Sequence, residues 1–418
     1  MRTNMNAGRV ALSLLFSTTA FVSALATETP IQTSYGGMGR FRFEQSDRTD
    51  YASRRSAFLM RVRPEIRLSK GSEYSLFVQP QFAKAFGRPE FSPSSATANT
   101  ANVTSGSVFD NSFSLHQAYV EWKPSDSIVF TVGRQLLSYG NEVILSSLEW
   151  DNVGRSFDTL KGRYSHTLGS VDLFYSKLFA ANVTATAQGP GDSDFYGVYS
   201  SNDFGKWFSA TDFYAFHRHD LTAGTAKDLL AVGARLQSKV EAIDYRVEAT
   251  KEFGGQFVDA AAAYQVDVEA GWSFDAPFKS RLGLEVFQAG SHYDQLFPLA
   301  HKYLGIADIF GRRNIQGAVL HLSANPTADL SVLFDAHYLL RTSTTAPAYK
   351  LNGSTALGTG ANTSRDLGIE FDLILNYALA KGLTGTVGVA VLLPGNYLKA
   401  ELGNFNPTFW YTQLVAQL

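Results

Sequence analysis

The chain has 418 residues, of which 36 are Lys or Arg, 38 are Asp or Glu and none is Cys. The formal net charge of −2 gives no global basic field, so neither nucleic acid nor an anionic membrane surface is expected as an electrostatic partner. The lack of Cys excludes disulfides, thiolate metal sites and cysteine nucleophiles. Aromatic residues make up 13% of the chain, which is not typical of a disordered protein.

The N-terminus predicts export from the cytoplasm. A positively charged start precedes an apolar run over residues 10–23, and Ala24 and Ala26 then form a small-x-small cleavage site. These three parts are typical of a Sec-type signal peptide; the apolar run is short for a membrane-spanning helix, which is the alternative. We therefore predict a signal peptide over residues 1–26 and one further domain over residues 27–418.

Most segments of the mature chain alternate polar and apolar residues with the period of two that indicates β-strands. In the stretch from Arg40 to Glu44, charged side chains alternate with Phe41 and Phe43. The same alternation recurs over residues 58–68, 243–249, 330–341 and 367–376. A soluble β-sandwich shows the same pattern, so alternation alone does not separate it from a membrane barrel.

Three further features favour a membrane barrel. The apolar faces begin or end in aromatic residues such as Trp122, Tyr245 and Trp272, as in the aromatic girdles at the two membrane interfaces. Many strands span about 10 to 15 residues, which is longer than the usual strand of a soluble protein. Short turns alternate with long loops rich in Ser, Thr, Asn and Gly, expected at residues 87–112, 180–193, 291–312 and 343–364.

The sequence therefore predicts an all-β fold, a transmembrane antiparallel β-barrel of about 18 strands with short periplasmic turns and long extracellular loops. No apolar run after the signal peptide reaches the length of about 20 residues that a membrane-spanning helix requires. The predicted strands lie near residues 35–46, 56–69, 72–86, 113–123, 127–135, 157–167, 169–179, 194–202, 206–217, 227–238, 242–253, 256–272, 279–290, 313–325, 328–342, 365–380, 382–393 and 405–418.

The faces opposite the apolar ones carry ionisable residues, which a membrane protein tolerates only beside water. The first strands contribute mainly cations, namely Arg40, Arg42, Arg61, Arg63, Arg67, Arg134, Lys161 and Arg163. Later strands contribute mainly anions, namely Asp244, Glu248, Asp267, Glu269, Glu285, Asp335, Glu370 and Asp372. We therefore expect a basic wall to face an acidic wall across an aqueous lumen. The alternative is that these charges pair with one another and only hydrate the lumen.

The most distinctive motif is Gly-Arg-Gln-Leu-Leu-Ser-Tyr-Gly at residues 133–140, followed by Trp-Asp-Asn-Val-Gly-Arg-Ser-Phe-Asp at residues 150–158. With weaker matches at residues 301–305 and 394–397, these motifs resemble those of the alginate-export family of outer-membrane proteins. The resemblance covers most of the mature chain. It implies a barrel of about 18 strands with an arginine-lined constriction that passes an acidic polysaccharide.

The resemblance also implies a set of pore-lining residues. Arg134 and Arg155 match the family motif, and Asp158 would be the acidic partner beside them. Candidates that match only by strand and face are Arg42, Arg61 and Arg63. Guanidinium groups suit such a site because their planar donors pair bidentately with carboxylates. We expect the segment around Trp150 to fold into the pore as a constriction; an external loop pinned by an Arg155–Asp158 pair is the alternative.

Other chemistries find less support in the sequence. His217 and His219 share one strand face, but no further metal ligand has a recognisable spacing. Asp192, Asp194 and Asp203 could bind Ca²⁺ between loops, although hydrated loop charge is the simpler interpretation. No constellation of nucleophile and base is readable. We therefore expect no enzyme, no cofactor and no metal site.

The sequence predicts a channel in the outer membrane of a Gram-negative bacterium that passes anionic polysaccharide or small anionic solutes through an arginine-lined lumen. Its expected partners are outer-membrane lipids, the solute itself and the outer-membrane assembly machinery, for which the closing strand at residues 405–418 resembles the usual signal. The alternative is a structural or adhesive barrel with a plugged lumen.

Overall fold

The computed structural model describes residues 29–47, 55–87, 111–178, 193–222, 225–254, 259–275 and 278–418. The predicted signal peptide, residues 1–26, lies outside these ranges, as do most of the loops predicted at residues 87–112 and 180–193. Within the described ranges, no helix has the length and apolar character that a membrane span requires.

The strands in the described ranges are β1 (Ile31–Asp47), β2 (Arg55–Lys70), β3 (Tyr74–Gly87), β4 (Asn111–Ser125), β5 (Ile128–Gln135), β6 (Phe157–His166), β7 (Gly169–Leu178), β8 (Ser193–Asn202), β9 (Ala210–Thr222), β10 (Thr225–Val240), β11 (Ile243–Phe253), β12 (Tyr264–Ser273), β13 (Arg281–Ala289), β14 (Ile315–Ala324), β15 (Leu330–Leu340), β16 (Ala348–Tyr349), β17 (Ala356–Leu357), β18 (Asp366–Ala380), β19 (Leu383–Pro394) and β20 (Thr408–Gln417). The same ranges contain two short helices, α1 (Ala300–Tyr303) and α2 (Asn396–Leu402), and a 3-10 turn at Ala260–Ala262.

Eighteen of these strands form one antiparallel sheet that closes on itself. β1 pairs with β2 along one edge and with β20 along the other, where the register runs from Met38 opposite Gln417 to Asp47 opposite Thr408. β16 and β17 form a separate hairpin in the connection between β15 and β18. Closure leaves no sheet edge without hydrogen-bond partners, which is the condition for a sheet to stand in lipid. The predicted antiparallel barrel is confirmed.

Alternation along the strands places apolar side chains outside the barrel and ionisable side chains inside it. On β1, Phe41 points outward and is exposed, whereas Arg40 and Arg42 point inward and are buried. On β20, Trp410 points outward and its ring centroid lies 5.3 Å from that of Phe43. The outward apolar surface is the one that lipid covers.

Short turns and long connections lie at opposite ends of the barrel. The turns that join β2 to β3, β6 to β7 and β18 to β19 lie at one end of the barrel, which we call the turn end. The first strand begins and the last strand ends at this same end. The long connections that follow β5, β13 and β15 lie at the other end, the loop end. In outer-membrane barrels the short turns face the periplasm and the longer loops face the outside.

Two long connections fold into the barrel. We call residues 136–156, between β5 and β6, the first inserted connection, and residues 290–314, between β13 and β14, the second inserted connection. Their backbones are joined by hydrogen bonds from Ser146 N to Phe297 O (2.8 Å) and from Phe297 N to Ile144 O (3.0 Å). The two connections therefore form one body inside the lumen.

The structure corrects the prediction of an external loop at residues 291–312, because this segment lies inside the barrel. Its apolar side chains, among them Ile306, Ile309 and Phe310, are buried in a cluster within the lumen. Removing these side chains from water stabilises the inserted position, whereas an external loop would leave them exposed.

The outward face of β20 allows a test of the barrel's orientation in lipid. Replacing Leu414, which points outward, by Asp should destabilise the barrel by about 2 kcal/mol, because an apolar contact with lipid is lost and a charge is placed against lipid. The measurement is the urea midpoint of the barrel refolded in lipid vesicles. Gln413→Asp is the matched control. Gln413 is next to Leu414 in the chain but faces the lumen, opposite Arg42 in the register of β1 and β20. Equal destabilisation by both variants would contradict the assigned faces.

Candidate functional site

Four arginines form a compact cluster on the inner face of β1 and β2, which we call the basic wall: Arg40, Arg42, Arg61 and Arg63. The strands pair antiparallel with Arg40 directly opposite Arg61, so the period of two brings all four side chains to one patch. Each residue is at most 3% exposed. Buried guanidinium groups need acceptors for their N–H groups, because an unpaired buried charge is costly.

The acceptors are backbone carbonyl groups in residues 149–153 of the first inserted connection, which we call the carbonyl segment. Arg40 donates to three successive carbonyls of this segment at 2.9 to 3.0 Å. Arg61 donates to two of the same three carbonyls, at 3.0 and 3.2 Å. Arg42 and Arg63 donate to one carbonyl each, at 2.8 and 2.9 Å. The basic wall therefore anchors the inserted segment to the barrel.

Glu149 adds a carboxylate to this cluster. Its Oε2 lies 2.5 Å from Nη1 of Arg63 and 3.2 Å from Nη2 of Arg61, and its Oε1 lies 3.4 Å from Nε2 of His116. Burial by itself raises the pKa of Glu149, but the close contact with His116 and the two guanidinium charges outweigh burial and hold the pKa well below its usual range. The Glu149 side chain is 42% exposed to the lumen, so it is the water-accessible part of the cluster.

Trp150 joins the basic wall to the second inserted connection. The guanidinium of Arg42 lies 4.0 Å from the centroid of one indole face, and the ring of His301 stacks on Trp150 with centroids 3.5 Å apart. The indole N–H donates to Oδ2 of Asp308 at 3.3 Å, and Oδ1 of Asp308 lies 2.9 Å from Nδ1 of His301. With both faces covered, Trp150 acts as a link between the two connections rather than as a free stacking platform.

Arg155 lies inside the barrel, where it holds the inserted connections together. Its Nη1 donates to the carbonyls of Ser146 (2.9 Å) and Phe297 (2.7 Å), and its guanidinium lies 5.3 Å from the Phe297 ring centroid. Arg155 is buried and makes these contacts instead of a pair with Asp158. The expected insertion of this segment is thus observed, and the alternative of an external loop pinned by Arg155 and Asp158 is not.

Arg134 and Asp158 lie together, but on the outer face of the barrel. They are opposite each other in the register of β5 and β6 and form a bidentate pair, with Nε to Oδ1 at 2.8 Å and Nη2 to Oδ2 at 2.7 Å. Arg134 shares its side of β5 with the exposed Phe130 and Val132, and Asp158 shares its side of β6 with the exposed Leu160. Alternation turns both side chains away from the lumen, which corrects their predicted pore-lining placement.

The family model described as "Alginate export" matches residues 32–412. The chain belongs to the alginate export family. No curated protein matches the sequence closely enough to serve as a relative.

Among solved structures, OccAB2 of Acinetobacter baumannii aligns with a TM-score of 0.60 and 11% identity over 93% of this chain and 98% of that one. The outer-membrane protein OpdK of Pseudomonas aeruginosa aligns with a TM-score of 0.58 and 9% identity over 93% and 98% of the two chains. OccK9 (OpdG) of Pseudomonas aeruginosa aligns with a TM-score of 0.59 and 11% identity over 93% and 99%. At such identities the likeness concerns the fold alone.

This family member is an outer-membrane channel protein of a Gram-negative bacterium, in contact with lipid on its outer face. Its family and fold are those of porin-like channels, which are not enzymes. Of the predicted site residues, Arg42, Arg61 and Arg63 face the lumen, Arg155 lies between the inserted connections, and Arg134 and Asp158 face outward.

The second inserted connection of this alginate export family member is held by two acidic side chains of β18. Oε1 of Glu370 accepts a hydrogen bond from the backbone N–H of Ala307 at 2.9 Å, and Oδ2 of Asp372 accepts one from the N–H of Ile306 at 3.1 Å. Both carboxylates lie on the inner face of β18 and are buried. The acidic strand thus binds peptide N–H groups, where the basic wall binds peptide carbonyls.

Sequence analysis missed the groups that meet the arginines. Trp150 is the first residue of the family motif at residues 150–158, and Glu149 directly precedes it. The motif identifies this segment but does not indicate which residues it contacts. Every residue carries a backbone carbonyl, so no sequence signal distinguishes the carbonyls that accept from the basic wall. His116 gave no signal either, because its partner Glu149 lies 33 residues away in the chain and meets it only in the folded barrel.

Replacing Arg40 and Arg61 together by Ala should release the carbonyl segment from the wall. The two side chains make five hydrogen bonds to its carbonyls. Each hydrogen bond from a charged donor contributes about 1.5–3 kcal/mol. We expect chymotrypsin to cleave the folded variant beside Trp150 under conditions that leave the wild type intact.

The control for this experiment is Arg134→Ala, which removes one guanidinium from the outer face. It should resist chymotrypsin as the wild type does. If the double variant is equally resistant, the packing of Trp150 is sufficient to hold the segment and the anchoring role of the two arginines is wrong.

Proposed function

We propose that this channel passes anionic solutes, either acidic polysaccharide or small organic anions, beside the basic wall and the carbonyl segment. The observation that carries the proposal is the charge balance there. The four guanidinium groups of the basic wall form ion pairs with two carboxylates, those of Glu44 and Glu149, and Asp151 is a third negative charge nearby. Arg155 and Asp308, which also act on Asp151, add one charge of each sign, so one positive charge is left in excess. In a lumen enclosed by lipid, such an excess attracts an anion more strongly than it would in bulk water.

The arginines act on the solute mainly through their field. They are buried behind the carbonyl segment, whereas the side chain of Glu149 is open to the lumen. A passing anion would therefore meet Glu149 and peptide groups, with the guanidinium charges behind them. Contacts of this kind are weak, and conduction requires that a solute can leave as easily as it enters.

A second candidate function is a structural or adhesive barrel that stays closed. The observation in its favour is the apolar cluster that the inserted connections build inside the barrel, including Ile144, Phe297 and Tyr303. Conductance of the purified protein in planar bilayers separates the two functions. A barrel that never conducts would support the structural role, and a conducting one would support the channel that we propose.

Anion preference can be tested at Glu149. Glu149→Gln removes a lumenal negative charge while keeping the side chain's size, so it should increase the preference for anions over cations. One charge about 8 Å away at an effective dielectric constant of about 40 changes the energy by about 1 kcal/mol, or roughly fivefold in the permeability ratio. The measurement is the reversal potential in a salt gradient.

Asp158→Asn is the matched control, because it also removes one carboxylate but from the outer face. It should leave the reversal potential where the wild type has it. A cation-selective wild type, or equal shifts in both variants, would contradict the proposal. Oligouronates that reduce the current where uncharged oligosaccharides do not would identify acidic polysaccharide as the solute.

Acidification should also increase the anion preference. Burial, reinforced by the charge of Asp308, raises the pKa of Asp151, so this group is protonated above the usual range of an aspartate. The lowered pKa of Glu149 keeps that group charged. Between about pH 7.5 and pH 5, the wild type should therefore become more anion-selective as the carboxylate of Asp151 disappears. At the upper end of this pH range, Asp151→Asn should be more anion-selective than the wild type, and its selectivity should not change with pH. A pH response that persists in the variant would mean that another group is responsible for it.

We further propose that β20 is the strand that the outer-membrane assembly machinery recognises. It closes the barrel against β1, and its outward face carries Trp410 and Leu414. An apolar closing face is the feature that a membrane-embedded assembly factor can bind before the barrel is complete.

A further inference from the structure

A row of ionisable residues crosses six neighbouring strands on the outer face near the loop end. Its members are direct cross-strand neighbours from β5 to β10: Arg134, Asp158, Lys177, Asp194, His219 and Asp228. The next row toward the turn end includes Tyr175 and Tyr196, both of which are exposed. Charges on a lipid-facing surface are tolerated near the interface rather than at mid-membrane. The row therefore lies where the outer face meets headgroups and water.

Two imidazoles and a carboxylate converge at one end of this row. His217 and His219 lie two residues apart on β9, so the strand period places both rings on the outer face. Asp228 lies on β10 directly opposite His219. Oδ1 of Asp228 is 2.7 Å from Nδ1 of His219 and 3.2 Å from Nε2 of His217. The fold thus supplies the third ligand that the sequence spacing of the two histidines did not reveal.

We propose that His217, His219 and Asp228 bind a transition-metal ion of the Zn²⁺ type on the outer face of the barrel. Two imidazole nitrogens and a carboxylate oxygen form a donor set that suits Zn²⁺, Ni²⁺ or Cu²⁺, whereas Mg²⁺ and Ca²⁺ prefer oxygen ligands alone. Water would complete the coordination, because the nearby carboxylate of Asp194 already pairs with Lys177 at 3.0 Å. This site is separate from the lumen and does not depend on the proposed transport function.

The three side chains have the freedom that metal binding requires. Both rings approach the same carboxylate oxygen, so a metal ion between them needs the rings and the carboxylate to turn by a rotation of their side chains. The side chains of His217, His219 and Asp228 are 39%, 30% and 51% exposed, which leaves room for this rotation without movement of the strands. Among the side chains that the structure describes, the contacts of Asp228 are the two imidazoles rather than a guanidinium.

A second cluster of possible ligands inside the lumen lacks this freedom. Glu269, Glu285 and His321 have ligand atoms within 4.8 Å of one another. However, Arg246 already donates to Glu269 at 3.1 Å and to Glu285 at 2.9 Å, and Arg281 donates to Glu269 at 2.8 Å. Two guanidinium groups therefore occupy the place of a cation and repel a second one. The outer-face group is the better site.

The proposal is tested by titrating ZnSO₄ into the full-length mature protein, purified without a polyhistidine tag in detergent micelles, by isothermal calorimetry. We expect one Zn²⁺ per chain. His217→Gln, His219→Gln and Asp228→Asn should each weaken the affinity by at least about tenfold, because each removes one ligand. Retention of heat-modifiable migration on gels shows that each variant is folded.

Two control variants locate the ion. His166→Gln makes the same chemical change at the turn end and should bind Zn²⁺ as the wild type does. His321→Gln should do so as well; loss of binding in this variant would place the ion in the lumen and overturn the proposal. The proposal also fails if the wild type does not bind Zn²⁺, if the two histidine variants on β9 bind it undiminished, or if an excess of Mg²⁺ displaces it.

Discussion

The hydrogen bonds from buried arginines to backbone carbonyls are the interaction on which the interior of this barrel depends. A peptide segment that enters a lumen leaves water without gaining the partners of a strand, so its carbonyls need donors from the wall. Arginine suits this task because one guanidinium offers five N–H groups in a fixed plane. Arg40 alone reaches three successive carbonyls of the carbonyl segment. The same contacts give each of four buried cations at least one carbonyl acceptor, which reduces the cost of burying them.

A second inner patch, on β18, lies three strands from β1 around the barrel and binds the other half of the peptide group. Glu370 and Asp372 each present a carboxyl oxygen that accepts a hydrogen bond from a backbone N–H of the second inserted connection. The segregation of Arg to early strands and of Asp and Glu to later strands therefore has a structural consequence inside the protein. Each wall complements the half of the peptide group that it meets. Under the proposed function, the positive charge in excess at the basic wall is what acts on a solute.

The outer face follows a different principle, because charge there must be neutralised close to lipid. Arg134 pairs with Asp158, and Lys177 lies 3.0 Å from Asp194, both between neighbouring strands. Each pair is nearly neutral as a unit, which reduces the cost of placing it near hydrocarbon. The histidines at the end of the row differ from these pairs, because they bring imidazole nitrogens, which can also coordinate a metal ion, to a carboxylate. That difference gives the outer face a site capable of selective ion binding.

The sequence by itself determined the class of fold, the strands and the inward placement of the basic wall. Each follows from the period of two, which is a local property of the chain. The outward placement of Arg134 was also present in the sequence, since Arg134 follows Phe130 and Val132 at the same spacing. Only the tertiary structure decided the partners. The carbonyl segment is 88 residues or more from Arg61 along the chain, and Asp228 belongs to a different strand from His217. Such contacts depend on closure of the barrel and on which connections turn inward. Every residue has a backbone carbonyl, so residue identity does not predict which carbonyls accept these hydrogen bonds.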